Sequence, residues 1–160
     1  MNPCVVVDTN ILFAALVGAK SHIREFLFTE RALDFSCPRF LFVELFKHKE
    51  RIITATQLSE DELLDALNAL LARVHFVDES TIPIGTWLEA RRLCLDIDEK
   101  DTPFVALTIH LNARLWTGDS ELRAGLRAKD FAQFFEEYLD GNDFKTKDPQ
   151  SEYHVMNFIV

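Results

Sequence analysis

The chain has 160 residues, 48% of them hydrophobic and fourteen of them Phe, which is enough to bury the core of one domain. Its formal charge of −9, from 26 acidic against 17 basic side chains, lacks the basic footprint of a protein that grips nucleic acid by charge alone. Cys4, Cys37 and Cys94 have no C-x-x-C spacing, which argues against a disulfide framework or a zinc cluster, and no apolar run approaches the ~20 residues of a membrane helix.

Met1-Asn2-Pro3-Cys4 carries no basic leader ahead of an apolar stretch, so a cytoplasmic protein with no membrane contact is expected. Cys4-Val5-Val6-Val7 is short, apolar and rich in β-branched residues, as suits a strand buried on both faces of a parallel sheet. Ile11 to Val17 reads as a helix capped by Asp8 or Thr9 and stopped by Gly18, and Ser21 caps a second helix through about Phe28. Leu33 to Cys37 is a second strand, after which Pro38 suits the first turn of a helix running past Glu44 to about Lys49. Ser59-Glu60-Asp61-Glu62 has capping-box spacing ahead of an apolar stripe at Leu63, Leu64, Leu67, Leu70 and Leu71.

Val74 to Val77 supplies a third strand, and a helix follows from Pro83-Ile84 to Leu95. An acidic turn, Asp96 to Asp101, ends at Thr102-Pro103, a helix start whose helix runs through His110. Arg114 to Thr117 is a fourth strand, Gly118 a turn, and Ser120 to about Arg127 a short helix. Phe131 to Phe135 reads as a fifth short strand or as the start of a helix ending near Leu139. A domain over residues 1–140 is therefore expected, followed over 141–160 by a polar linker and an apolar C-terminal tail, Val155 to Val160. Strands alternating with helices imply an α/β/α three-layer sandwich around a parallel sheet of four to five strands, with ligands at the carboxyl ends of the strands.

Four acids stand where apolar segments stop: Asp8 after the first strand, Glu44 inside an apolar helix, Asp101 at the start of another, and Asp119 after the fourth strand. An isolated carboxylate in an apolar setting costs several kcal/mol, roughly, unless something compensates, and a divalent cation is the natural compensator. Mg²⁺ and Mn²⁺ take oxygen ligands and keep several waters, so a few carboxylates on a sheet edge suffice. Each acid also has an ordinary alternative. Asp8 and Asp101 suit helix caps, Glu44 suits pairing with Lys47 or His48, and Asp119 suits a turn.

Val7-Asp8-Thr9-Asn10, the helical Glu44, Asp98-x-x-Asp101-x-x-Phe104-Val105-Ala106-Leu107 and Trp116-Thr117-Gly118-Asp119 resemble the PIN-domain nucleases over roughly residues 4 to 139. The resemblance implies Mg²⁺- or Mn²⁺-dependent cleavage of single-stranded RNA, as in the bacterial toxin halves of toxin-antitoxin pairs, with an antitoxin partner and a homodimer as family-level expectations. By position it makes Asp8, Glu44, Asp101 and Asp119 the catalytic, metal-binding acids, and Asn10 and Thr117 the residues that orient them. Asp98 and Glu121 are candidate auxiliaries, Glu121 standing where many PIN toxins have Asp. Candidate RNA contacts are Arg91, Arg92 and Lys47, with Arg24, Lys49 and Arg51 as further candidate phosphate contacts.

Two other classes compete. A non-catalytic, PIN-like module that binds nucleic acid or protein needs the acids only as caps and turns. A phosphotransfer or phosphatase domain needs a second Asp two positions after Asp8, where Asn10 stands, and a Lys at a strand end near Asp119, where none is found.

Overall fold

In the computed structural model, residues 1–136 are described. Strands β1 (Cys4–Val7), β2 (Asp34–Pro38), β3 (His75–Val77) and β4 (Arg114–Trp116) form one sheet in the order β3-β2-β1-β4, with every pairing parallel. Parallel strands need crossovers, and the helices supply them: α1 (Thr9–Val17), α2 (His22–Thr29), α3 (Phe40–Ala55), α4 (Glu60–Arg73), α5 (Ile84–Cys94), α6 (Thr102–His110) and α7 (Ser120–Arg127). α6 lies across β1, β2 and β4 with α5 beside it, while α1, α2 and α4 pack together as the other layer of the α/β/α sandwich. No helix among the described residues is long and apolar enough to cross a membrane.

The chain lays down β1, β2 and β3 in one direction and then returns to place β4 on the far side of β1. The strand order therefore reverses between β1 and β4, and crossover connections leave that point in opposite directions, opening a crevice at the strands' carboxyl ends. β1 is the most enclosed strand, with Val5, Val6 and Val7 buried between two partners. α1 is apolar all round and buried accordingly, from Ile11 to Val17. Trp116 anchors the aromatic core, edge-on to Phe26 at 5.5 Å and to Phe135 at 5.5 Å between ring centroids.

Local chemistry explains most element ends. The Ser21 hydroxyl accepts the Arg24 N–H at the start of α2, and Ser59 and Glu62 close the expected capping box on α4. Pro38 corrects one expectation: it ends β2, opposite Val77, and α3 begins at Phe40. A proline without an N–H is harmless there because the β1–β2 register stops at Ser36 and leaves that side of Pro38 unpaired. α3 also continues to Ala55, beyond the expected end near Lys49, because Ile52 is buried and gives its last turn an apolar anchor. The segment 131–135 contributes a single parallel bridge, Leu115 to Phe134, to the outer side of β4 rather than a fifth strand. The expected linker 141–152, the tail Val155 to Val160 and the boundary at 140 lie outside the described residues.

Two contacts tie the 96–101 turn to α7. Lys129 Nζ donates to the Leu93 carbonyl at 2.8 Å and pairs with Asp96, pinning the end of α5. Ile97 packs over Gly125, where an added Cβ would fall 2.5 Å from Ile97 Cδ1 and 2.8 Å from Cγ1. Gly125→Val is therefore expected to displace Ile97 and lower stability by about 1–3 kcal/mol in urea denaturation. An unchanged midpoint would mean that Ile97 has room to turn away.

Candidate active site

Asp8 stands one residue past β1, and its backbone N–H donates to the carbonyl of Trp116, the last residue of β4, at 3.0 Å, which prolongs the β1–β4 pairing past the end of β1. Its side chain is only 5% exposed. Oδ1 accepts the Thr9 N–H at 2.8 Å and caps α1, while Oδ2 accepts the Thr117 hydroxyl at 2.7 Å. Thr117 Oγ1 also accepts the Asp119 N–H at 3.1 Å, and Asn10 Oδ1 accepts the Gly118 N–H at 3.4 Å. The turn after β4 is thus stitched to the turn after β1, and the two acids are carried side by side. Asp119 in turn caps α7, its Oδ1 accepting the Glu121 N–H at 3.0 Å and the Leu122 N–H at 3.1 Å.

Glu44 reaches the same place from α3, which runs past the carboxyl end of β2. Its carboxylate lies 3.5 Å from His48 Nε2, one helical turn on, and both side chains are nearly buried at 12% and 11% exposure. The His48 ring meets Phe13 edge-on at 5.8 Å. Asp101 ends a short 3₁₀ turn (Glu99–Asp101) and occupies the cap position of α6 without making a side-chain cap bond. Asp98 is exposed and accepts the Lys100 N–H at 3.0 Å.

These five acids line one cleft of about 170 Å³ at the reversal of strand order, together with Thr9, Asn10, Phe40, His48, Lys100 and Phe104. A larger cavity of about 470 Å³ borders Cys4, Glu30 and Arg114 at the other end of the sheet, but among the described residues Glu30 is its one acid. Size therefore favours the second cavity, and chemistry favours the first.

Burial chiefly pushes the Asp8 carboxyl up to about 6; hydrogen bonds from Thr117 and Thr9 oppose the shift, and repulsion from Asp119 and Glu44 adds to it. Asp101 is pushed up to about 8, again first by burial and then by repulsion from Asp8, Asp98, Asp119 and Glu44. Such mutual repulsion is what a bound cation relieves. The donor set is oxygen-rich, which suits Mg²⁺ or Mn²⁺. Among the described residues no three His, Cys, Asp or Glu side chains form a ready cation cage. A hard cation that keeps its waters and takes one or two carboxylates directly does not require one. Thr9 also borders this cleft, and its hydroxyl is buried without a hydrogen-bond partner among the described residues.

Each of the other residues singled out in the sequence has a definite place. Asn10 lines the cleft, and Thr117 sits behind Asp8 as a buried brace. Glu121 is exposed, outside the lining, and touches the site through its N–H to Asp119. Arg91, Arg92 and Lys47 are exposed and do not line the cleft; Arg91 pairs with Glu99 at 3.5 Å. Arg24 donates to the Ala15 and Ala19 carbonyls, bracing α1 against α2. The structure adds Lys100, His48, Phe40, Phe104 and Thr9 to the lining. Spacing offered a signal for two of them: Phe40 and His48 stand four residues either side of Glu44, on the same helical face.

A family model described as the PIN domain matches the sequence over residues 6–140. Among solved structures, a chain in the crystal structure of VapBC2 from Rickettsia felis bound to a DNA fragment from their promoter is similar, with a TM-score of 0.53 and 16% identity. The match covers 76% of this chain and 92% of that one, and at such identity the likeness is one of fold. No curated protein matches the sequence.

Asp8 and Asp101 titrate above the ordinary carboxylate range, so the folded chain holds protons that the unfolded chain has released. Their contribution to stability is therefore full below about pH 4 and is lost as the pH rises through about 6 and about 8. With EDTA present, Asp101→Asn is expected to stabilise the fold by on the order of 1–3 kcal/mol at about pH 8.5, and by little near pH 5. Urea titrations at the two pH values measure this, and equal effects at both would contradict the raised Asp101 carboxyl.

Proposed function

The chain belongs to the PIN-domain family, and on that basis we propose that it is a Mg²⁺- or Mn²⁺-dependent endoribonuclease hydrolysing phosphodiester bonds of single-stranded RNA. One observation carries this reading: acids from separate segments, Asp8, Glu44, Asp101 and Asp119, share one cleft at the sheet's reversal point. These four carboxylates would hold the cation, with Asp98 assisting from the rim. When bound, the cation supplies Lewis-acid stabilisation of phosphate charge and a more acidic water.

The remaining work belongs to the chain's own side chains. Thr117 fixes the orientation of Asp8 through its 2.7 Å hydrogen bond, and Asn10 holds the Gly118 turn that carries Asp119. Lys100, exposed at the cleft, offers a phosphate contact next to the acids, while Arg91, Arg92 and Lys47 would meet the strand farther out. Phe40 and Phe104 close the cleft on its apolar side. The charge of −9 is compatible with an anionic substrate because part of it is gathered where a cation would sit.

The fold likeness to a VapBC2 chain supports a toxin role with an antitoxin as protein partner in the cytoplasm. Exposed apolar side chains on α3 (Val43, Phe46, Ile53), on α5 (Ile84, Leu88) and just after it (Leu95) support a homodimer or that partner. A non-catalytic binding module is the second reading, favoured by the structural partners that Asp8, Asp119 and Glu44 already have.

Cleavage of single-stranded RNA separates the two. Asp8→Asn and Asp101→Asn are expected to lower the Mn²⁺-dependent rate by at least ~100-fold with the far-UV spectrum unchanged, and EDTA to abolish it. Undiminished cleavage in both variants, or in EDTA, would refute the metal-dependent assignment, and no cleavage by the wild type would favour the binding module.

A further inference from the structure

Three threonines inside these helices satisfy their hydroxyls in one way. Thr29 donates to the Glu25 carbonyl at 2.8 Å, Thr54 to Glu50 at 2.9 Å and Thr108 to Phe104 at 2.7 Å, each reaching one turn back along its own helix. Thr9 cannot do this. It is the first residue of α1, and the residue four positions back is Val5, inside β1, whose carbonyl belongs to the sheet. Thr9 is 8% exposed, and its Oγ1 is buried with no hydrogen-bond partner among the described residues.

A buried hydroxyl left unpaired costs about 1–3 kcal/mol, and an isosteric Val would avoid that cost while filling the same space. Thr9 nevertheless stands directly after Asp8 and lines the cleft shared by Glu44, Asp101 and Asp119. Its N–H is already committed to Asp8 Oδ1 at 2.8 Å, which fixes the backbone and leaves the side-chain torsion as the adjustable element. Rotation about that torsion moves the hydroxyl without disturbing the backbone of α1.

We infer that the Thr9 hydroxyl is a positioning group for the hydrated divalent cation of this cleft, its oxygen accepting a hydrogen bond from a water of the hydration shell alongside Asp8. The inference rests on the metal-dependent reading above and adds a residue to it. Thr9 acts by ordering oxygens around the cation, as outer-sphere partners do at other metal sites, and removing such a partner typically weakens metal binding about 10–100-fold.

Thr9→Val is expected to move two measurements in opposite directions. With EDTA present, the variant is expected to melt about 2–4 °C above the wild type, because a buried unpaired hydroxyl is gone. Its apparent Kd for Mn²⁺, followed by thermal shift and by isothermal titration, is expected to weaken ~10-fold, and Thr9→Ser, which keeps the hydroxyl, to stay within ~3-fold of the wild type. A lower melting temperature for Thr9→Val in EDTA would show that the hydroxyl has a structural partner and would overturn the inference. So would equal Mn²⁺ affinity in Thr9→Val and the wild type, leaving the metal site itself intact. A wild type that does not respond to Mn²⁺ at all would remove the metal site and this role with it.

Discussion

The buried pair between Asp8 and Thr117 is the interaction on which the arrangement depends. Asp8 Oδ2 and the Thr117 hydroxyl meet at 2.7 Å across the seam between β1 and β4, one step beyond the last strand pairing, Val7 with Trp116. That seam is where the sheet reverses its strand order, so the chain ends on either side diverge and leave space above it. Without the Asp8–Thr117 bond and the Asn10–Gly118 bond beside it, the turn carrying Asp119 would have no fixed relation to α1. Charge-assisted hydrogen bonds of this kind are worth about 1.5–3 kcal/mol, enough to hold a short turn in one conformation.

The same residues serve stability and chemistry, and the two uses are compatible because a carboxylate has two oxygens. Asp119 gives Oδ1 to the first N–H groups of α7, so the helix end fixes the carboxylate's direction. Glu44 is steadied by His48, whose ring is itself held against Phe13 in the core. Asp101 has no such support, and it carries the larger upward shift, to about 8 against about 6 for Asp8. The strain of gathering acids is thus concentrated on the carboxyl with the fewest hydrogen bonds, as expected where burial and like charge are not offset. The rigid base beneath, with Val5, Val6, Val7 and Trp116 buried, is what lets these acids stay close without the sheet edge opening.

Much of this was legible in the chain itself. The apolar run Cys4 to Val7, the Ser59 capping box and the Thr102-Pro103 start announce their elements by local chemistry, and the structure places those elements there. Pro38 misled because its two common places, a first helical turn and a strand end, look alike until the partner strand is known. Phe131 to Phe135 is equally ambiguous, since its single bridge to Leu115 depends on how far β4 extends. For the cleft, the order Asp-Thr-Asn, Glu, Asp-x-x-Asp and Thr-Gly-Asp singled out the acids, whereas Lys100 gained meaning only once the 3₁₀ turn set it beside Asp101.

By itself the sequence determined the elements, the parallel α/β class and the identity of the acids, because these follow from periodicity, capping and residue type over a few neighbours. Tertiary structure decided which of them meet. Residues 8 and 119 are neighbours because β4 inserts beside β1, a long-range pairing that no local pattern encodes. It also decided that the Thr9 hydroxyl is buried without a partner among the described residues while the Thr108 hydroxyl is satisfied, since that depends on whether helix or strand lies one turn behind each residue.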